Sequence, residues 1–251
     1  MSAKGTGSLW NGAQKRSHRD RVFAAADGAA TVRKRLQRVP RTFLRCAPIF
    51  FIALAGAAVL CAQSAEPQSA TLYTEFQQPA ATAVMDSMRD EAQSIMGRLG
   101  INLEWRSLAA ATGTEVSAQL AVMRFQGKCE VSGLVARRVN PGALGWTHES
   151  DGVILPFGAV DCDRIRSFLQ LELLGAAPDQ RELIYGRALG RVLAHELYHI
   201  FTRSAHHSAS GVGKASYAVR DLLGGRFVFD SAESSELRGA QTRGDAADVT
   251  R

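Results

Sequence analysis

Residues 179–202 read DQRELIYGRALGRVLAHELYHIFT. This is the longest helical pattern in the chain. Ile184, Ala188, Val192 or Ala194, Leu197 and Phe201 recur at helical spacing and give it an apolar face. Pro178 and Asp179 mark its start. Gly186 and Gly190 stand one turn apart inside it, and each lowers helix propensity by roughly 1 kcal/mol relative to alanine. Close packing of this helix against a sheet is the expected reason for tolerating them.

The last turns carry the chemistry. His195 and His199 are four residues apart, so on a helix they project from the same side on consecutive turns. Two imidazoles placed this way can reach one metal ion. Glu196 is offset by one residue and is placed to take a proton from a water that the metal acidifies. The residues between the histidines, Leu197 and Tyr198, suit a helix facing a core. Four of the six histidines in the chain fall within thirteen residues, because His206 and His207 follow closely. A buried glutamate and two buried histidines beside Leu197 and Phe201 would be costly without a partner.

A catalytic zinc takes three protein ligands and keeps one position open. The residues alone leave the third ligand undecided among His207, His206 and the downstream carboxylates Asp221, Glu233 and Glu236. The segment HELYH resembles the zincin metallopeptidases, and specifically their metzincin-like branch. The usual third histidine of that branch, six residues after the second, would fall on Ala205. The stretch is more similar to a bacterial exported variant whose third histidine lies eight residues on, which is His207. Gly211 and Val212 fit the turn that follows it there, Gly213 stands where that turn has methionine, and Arg203 stands where it has a turn glycine. The resemblance implies Zn2+ on His195, His199 and His207, with Glu196 as general base for hydrolysis of a peptide or protein substrate. Tyr217, ten residues past His207, is a candidate donor to the transition-state oxyanion. Tyr198 is expected to pack in the core.

The order of elements agrees with an α+β, zincin-like core, a mixed sheet packed on the active-site helix. Residues 83–99 space Val84, Met88, Ile95, Met96 and Leu99 as an amphipathic helix ended by Gly100. Residues 101–108 alternate Ile101, Leu103 and Trp105 against polar residues as a half-buried strand. Residues 116–125 read as a second strand, Leu134–Val139 as a short third before an Asn140-Pro141-Gly142 turn, and 151–162 as a further apolar run. Pro156 inside that run calls for a sheet edge or a bulge. Leu169–Leu174 and Ala218–Leu223 read as short helices, and His148, in WTHESDG, as an exposed loop histidine. Residues 65–82 read as a linker, 83–240 as the catalytic domain and 241–251 as a flexible tail.

The formal charge of +6 is unevenly placed. Residues 1–45 hold eleven Lys/Arg and two Asp/Glu, whereas residues 46–251 hold nineteen and twenty-two. The basic character therefore belongs to the leader, and no recognition element accompanies it, so nucleic acid is not the expected partner. After the leader comes CAPIFFIALAGAAVLCA, residues 46–62, without a charge. Basic residues, an apolar run and a small-residue exit at 62–64 describe an export signal. Two readings fit: a signal whose basic region is Val32–Arg45, or an anchor retained in a membrane with the basic flank cytoplasmic. Both send residues 65–251 across a membrane. Cys129 and Cys162 remain beyond the leader and form a plausible disulfide in an exported domain.

Three functions are carried forward. The first is an exported zinc-dependent peptidase. The second is a zinc amidase acting on cell-wall peptides. The third is a noncatalytic zincin-like domain that binds metal or a partner, which would have no need of Glu196.

Overall fold

The computed structural model describes residues 68–135 and 142–248. The basic leader, the apolar run 46–62, most of the strand expected at 134–139 and the last residues of the tail lie outside the described residues. Among those described, no helix is long and apolar enough to cross a membrane.

In chain order the elements are β1 (Gln68–Phe76), α1 (Thr82–Met96), β2 (Ile101–Ser107), β3 (Leu120–Gln126), β4 (Gly145–Ser150), β5 (Val153–Asp161), α2 (Cys162–Phe168), α3 (Gln170–Gly175), α4 (Pro178–Thr202), α5 (Val219–Leu223) and α6 (Ser231–Asp248). The sheet runs β2-β1-β3-β5-β4. Its first four strands are parallel, and β4 returns antiparallel to β5 along one edge. This is the expected mixed sheet with helices, α4 among them, packed on it.

The segment expected to be a linker contains an interior strand of the sheet. β1 pairs in parallel with β2 on one side and β3 on the other. Residues 70–74 are all buried, including Thr71 and Thr74. A strand covered on both faces loses the polar–apolar alternation that betrays a half-exposed one. Two other expectations shift. Residues 145–150, read as loop, form the edge strand that carries exposed His148. The tail is helical as far as Asp248, as part of α6.

Pro156 is accommodated at an irregularity. Between β4 and β5 the register passes from Thr147↔Gly158 to Glu149↔Ile154, so Leu155, Pro156 and Phe157 stand opposite His148 alone. β5 is internal, so the proline marks a bulge and not an edge. Gly100, with φ 77°, ends the helical run that begins with α1. Val116 is exposed, and β3 begins four residues later than the pattern suggested.

α4 is buried almost continuously from Tyr185 to Phe201. Its glycines do not meet the sheet. A Cβ on Gly186 would lie 2.5 Å from the Val84 carbonyl oxygen, and one on Gly190 would lie 2.6 Å from the Met88 carbonyl oxygen. The close approach is therefore to the α1 backbone. Ser87 Oγ donates to the Leu183 carbonyl across the same seam at 2.8 Å. Farther along, fully buried Arg191 donates to Glu91 of α1 at 2.6 Å and to the Asp221 carbonyl of α5 at 2.9 Å, with its guanidinium 4.9 Å from the Phe227 ring. The ion pair and these hydrogen bonds tie α4 to both neighbours.

Cys129, just past β3, is bonded to Cys162 at the start of α2, 33 residues on. The bridge closes the segment that carries β4 and β5.

Candidate metal centre

α4 ends in a tight reversal. Arg203 adopts the left-handed conformation, φ 54°, and Ser204 N–H donates to the His199 carbonyl while Arg203 N–H donates to that of Ile200. This is the double hydrogen bond of a Schellman terminus, with arginine where glycine is usual. The reversal carries the chain back over the last helical turn, and His207 arrives beside the two helical histidines. Ligand nitrogens of His195, His199 and His207 all lie within 4.8 Å of one another.

The neighbouring carbonyls fix how the helical rings are protonated. His195 Nδ1 lies 2.7 Å from the Val212 carbonyl, and His199 Nδ1 lies 2.7 Å from the Ser204 carbonyl. A carbonyl oxygen only accepts, so each neutral ring carries its proton on Nδ1. The two Nε2 lone pairs then face each other at 3.1 Å. Two acceptors at that distance repel, and a cation between them removes the conflict. The spacing is close to the roughly 3.3 Å expected for two imidazoles on one tetrahedral zinc. Burial pushes His195 down to about 3, with the His199 charge adding to it, and pushes His199 down to about 4. Burial also lowers His207. All three are therefore neutral near pH 7, as metal ligands must be.

Glu196 lies next to His195 on the helix, 4% exposed. Burial alone pushes its carboxyl up to about 8. It lines the same cleft as the three histidines, together with Leu144, Trp146 and Thr147 of the β4 side and Lys214 and Tyr217 of the opposite side. The edge strand comes so close that a Cβ on Gly145 would lie 2.7 Å from Glu196 Oε1 and 3.0 Å from Val192 Cγ1. Gly145 therefore gives the carboxylate its room, and nothing in ALGWTHES advertised that. Among the described strands β4 is the last of the sheet, and it runs along the cleft.

The other candidates are directed elsewhere. His206 is exposed, its backbone N–H on Ser204 Oγ, so adjacent residues point apart and His207 is the one turned inward. Glu233 is fully buried, but its oxygens accept from Gly213 N–H at 2.7 Å and Asp230 N–H at 2.8 Å. Glu236 accepts from the Tyr198 hydroxyl. Asp221 accepts from Lys214 and from Ala218 N–H, both at 2.8 Å. Among the described residues, none of these carboxylates joins the group that could hold a metal. Tyr217 is the candidate donor to an oxyanion, with ordinary packing as its other reading. Its hydroxyl instead donates to the Val212 carbonyl and lies 2.9 Å from His195 Nδ1, on the side of the ring away from Nε2. It supports the ligand's orientation. Tyr198 is buried on the far face of the helix against Phe229, as expected of a core residue.

No family model matches the chain, and no curated protein matches it. Among solved structures, the chain is similar to the crystal structure of archaemetzincin (amzA) from Methanopyrus kandleri, with 12% identity over 73% of this chain and 100% of that one and a TM-score of 0.42.

Proposed function

We propose that the chain is an exported zinc-dependent peptidase in which His195, His199 and His207 hold the metal and Glu196 is the general base. The observation that carries this is the pair of Nε2 atoms facing each other at 3.1 Å with both Nδ1 atoms turned to carbonyls. Bound zinc supplies Lewis acidity, which acidifies water and polarises a carbonyl. The chain supplies the rest. Glu196, buried beside the ligands, is a carboxyl whose proton affinity lies near neutrality, which suits a group that takes a proton and hands it on. Gly145 leaves the space its side chain occupies. β4, the last strand of the sheet among the described residues, borders the cleft, and a strand in that place favours an extended peptide as substrate. Export is part of the proposal, supported by the leader pattern and by the disulfide.

The test is metal content by elemental analysis, with cleavage of an unstructured peptide mixture followed by mass spectrometry. The full chain should carry about one zinc. His207→Ala should lose it and His206→Ala should keep it. Glu196→Gln should keep zinc and lose cleavage. A parent that takes up no metal would sink the reading. A Glu196→Gln variant that cleaves as well as the parent would remove the base, and a zinc-loaded parent that cleaves nothing would leave a metal-binding domain.

A further inference from the structure

His207 and the Val212 carbonyl, which faces His195, both lie outside α4 and belong to one short loop. His207 enters it. Ser208 N–H donates to the Gly213 carbonyl at 2.9 Å and closes it. Val212, whose carbonyl faces His195 Nδ1, lies near its end. The loop has few apolar side chains of its own to hold it, since it reads SASGVG over residues 208–213. Its shape is held from behind by Glu233.

Glu233 is the third residue of α6 and is completely buried. One carboxylate oxygen accepts from Gly213 N–H and the other from Asp230 N–H. The Ser208 hydroxyl also donates to it. The carboxylate thus grips the loop at both ends of its closure, one residue after His207 and one residue after Val212. The loop is shaped to admit it. A Cβ on Gly211 would lie 2.5 Å from Glu233 Oε2, and one on Gly213 would lie 2.6 Å from Oε1. Gly211 also has φ 73°, which a side chain resists. One turn on, Glu236 accepts from the Tyr198 hydroxyl and links α6 to α4.

We infer that Glu233 is a positioning residue of the metal centre: its buried carboxylate, seated between Gly211 and Gly213, sets the Val212 carbonyl against His195 and returns His207 to the helix. The inference rests on the metal-centre reading and deepens it. Groups behind metal ligands tune affinity by roughly 10–100-fold when removed. The glutamate belongs to the apoprotein's architecture, so its effect reads out in metal binding without any assay of activity.

The experiment measures zinc affinity by competition with a chromophoric chelator, the visible spectrum of the cobalt-substituted protein and the melting temperature of the apoprotein. It uses the full chain, Glu233→Gln, Glu233→Asp, Gly213→Ala and the control Glu236→Gln. Glu233→Gln turns an amide NH2 toward one of two backbone N–H groups. It should weaken zinc binding about 10–100-fold and shift the cobalt bands while the apoprotein still melts cooperatively. Gly213→Ala, pressing the same carboxylate from the other side, should do likewise. Glu233→Asp should recover part of the loss. Glu236→Gln should lower the melting temperature and leave affinity and spectrum unchanged. Glu233→Gln with parental affinity and spectrum in a metal-binding protein overturns this inference alone, as does an equal loss of affinity in Glu236→Gln. A parent that binds neither zinc nor cobalt overturns the metal-centre reading, and this inference with it. If Glu233→Gln does not fold, Gly213→Ala decides: unchanged affinity there overturns the inference.

Discussion

Replacing Glu196 by glutamine should make the metal-free protein more stable, by an amount that depends on pH. Burial raises the Glu196 carboxyl from 4.5 to about 8 in the fold. Below pH 4.5 it is protonated whether the chain is folded or not, and the group contributes no penalty. As pH rises, the unfolded chain releases this proton while the folded chain keeps it, so stability falls at about 1.4 kcal/mol per pH unit until the folded carboxyl ionises near pH 8. The accumulated penalty is about 3 kcal/mol at pH 7 and about 5 kcal/mol above pH 8. Glutamine has nearly the same shape and does not titrate. Urea denaturation of chelator-treated parent and Glu196→Gln at pH 5, 6, 7 and 8 should give a difference that widens in favour of the variant with that slope. Zinc should shrink the difference, because a cation at the three histidines favours the ionised glutamate. A difference that does not vary with pH would refute the reasoning, and so would a variant less stable than the parent at pH 8.

The metal-free protein should also lose stability in acid. His195 and His199 are held down to about 3 and 4 against an ordinary 6.5, so protons bind the unfolded chain first as pH falls from 6.5 toward 4, and the urea midpoint of the Glu196→Gln background should fall with them. Gly145→Ala should cost about 1–3 kcal/mol through overpacking against Glu196 and Val192; peptide cleavage should fall while zinc content stays at the parental value. Arg203→Gly should relieve the left-handed arginine and raise stability by about 1 kcal/mol, measured by calorimetry, with zinc content unchanged; a destabilised variant would mean that the arginine side chain matters more than its backbone.

The helical histidines were legible because they obey a local rule: an i, i+4 pair on a long helix needs no tertiary information. Alternation along an extended chain says only that His206 and His207 point apart; the choice of His207 came from the family resemblance. The half-buried β2 and the helix before it followed from their periodicity. β1 was invisible for the opposite reason: Ala70 to Thr74 are buried on both faces, so the run has no alternation, and its serine and threonines resemble a linker. The glycine pair in α4 announced a close approach but could not say to what, because a helix backbone and a sheet ask the same thing of a glycine. Glu233 is a candidate ligand in the sequence because a carboxylate downstream of the two helical histidines can complete a zinc site. Only the fold shows that two backbone N–H groups and a hydroxyl already hold it. Gly145 lies on a different strand from the carboxylate it makes room for, and no short-range pattern links them.

The glycine seam between α1 and α4 acts as the fulcrum of a lever. His199 is nine residues beyond Gly190, about 14 Å along the helix axis. At Gly186 a methyl group would have to retreat by roughly 1 Å to reach ordinary contact with the Val84 carbonyl. A rigid helix rocked by that much at one end swings its other end by a comparable amount, and a 1 Å misplacement at reacting groups can cost about 100-fold in rate. The tolerance of the centre is therefore set two to three turns upstream, by backbone resting on backbone. On the proposed reading, positions 186 and 190 help to aim the histidines of α4 without touching them.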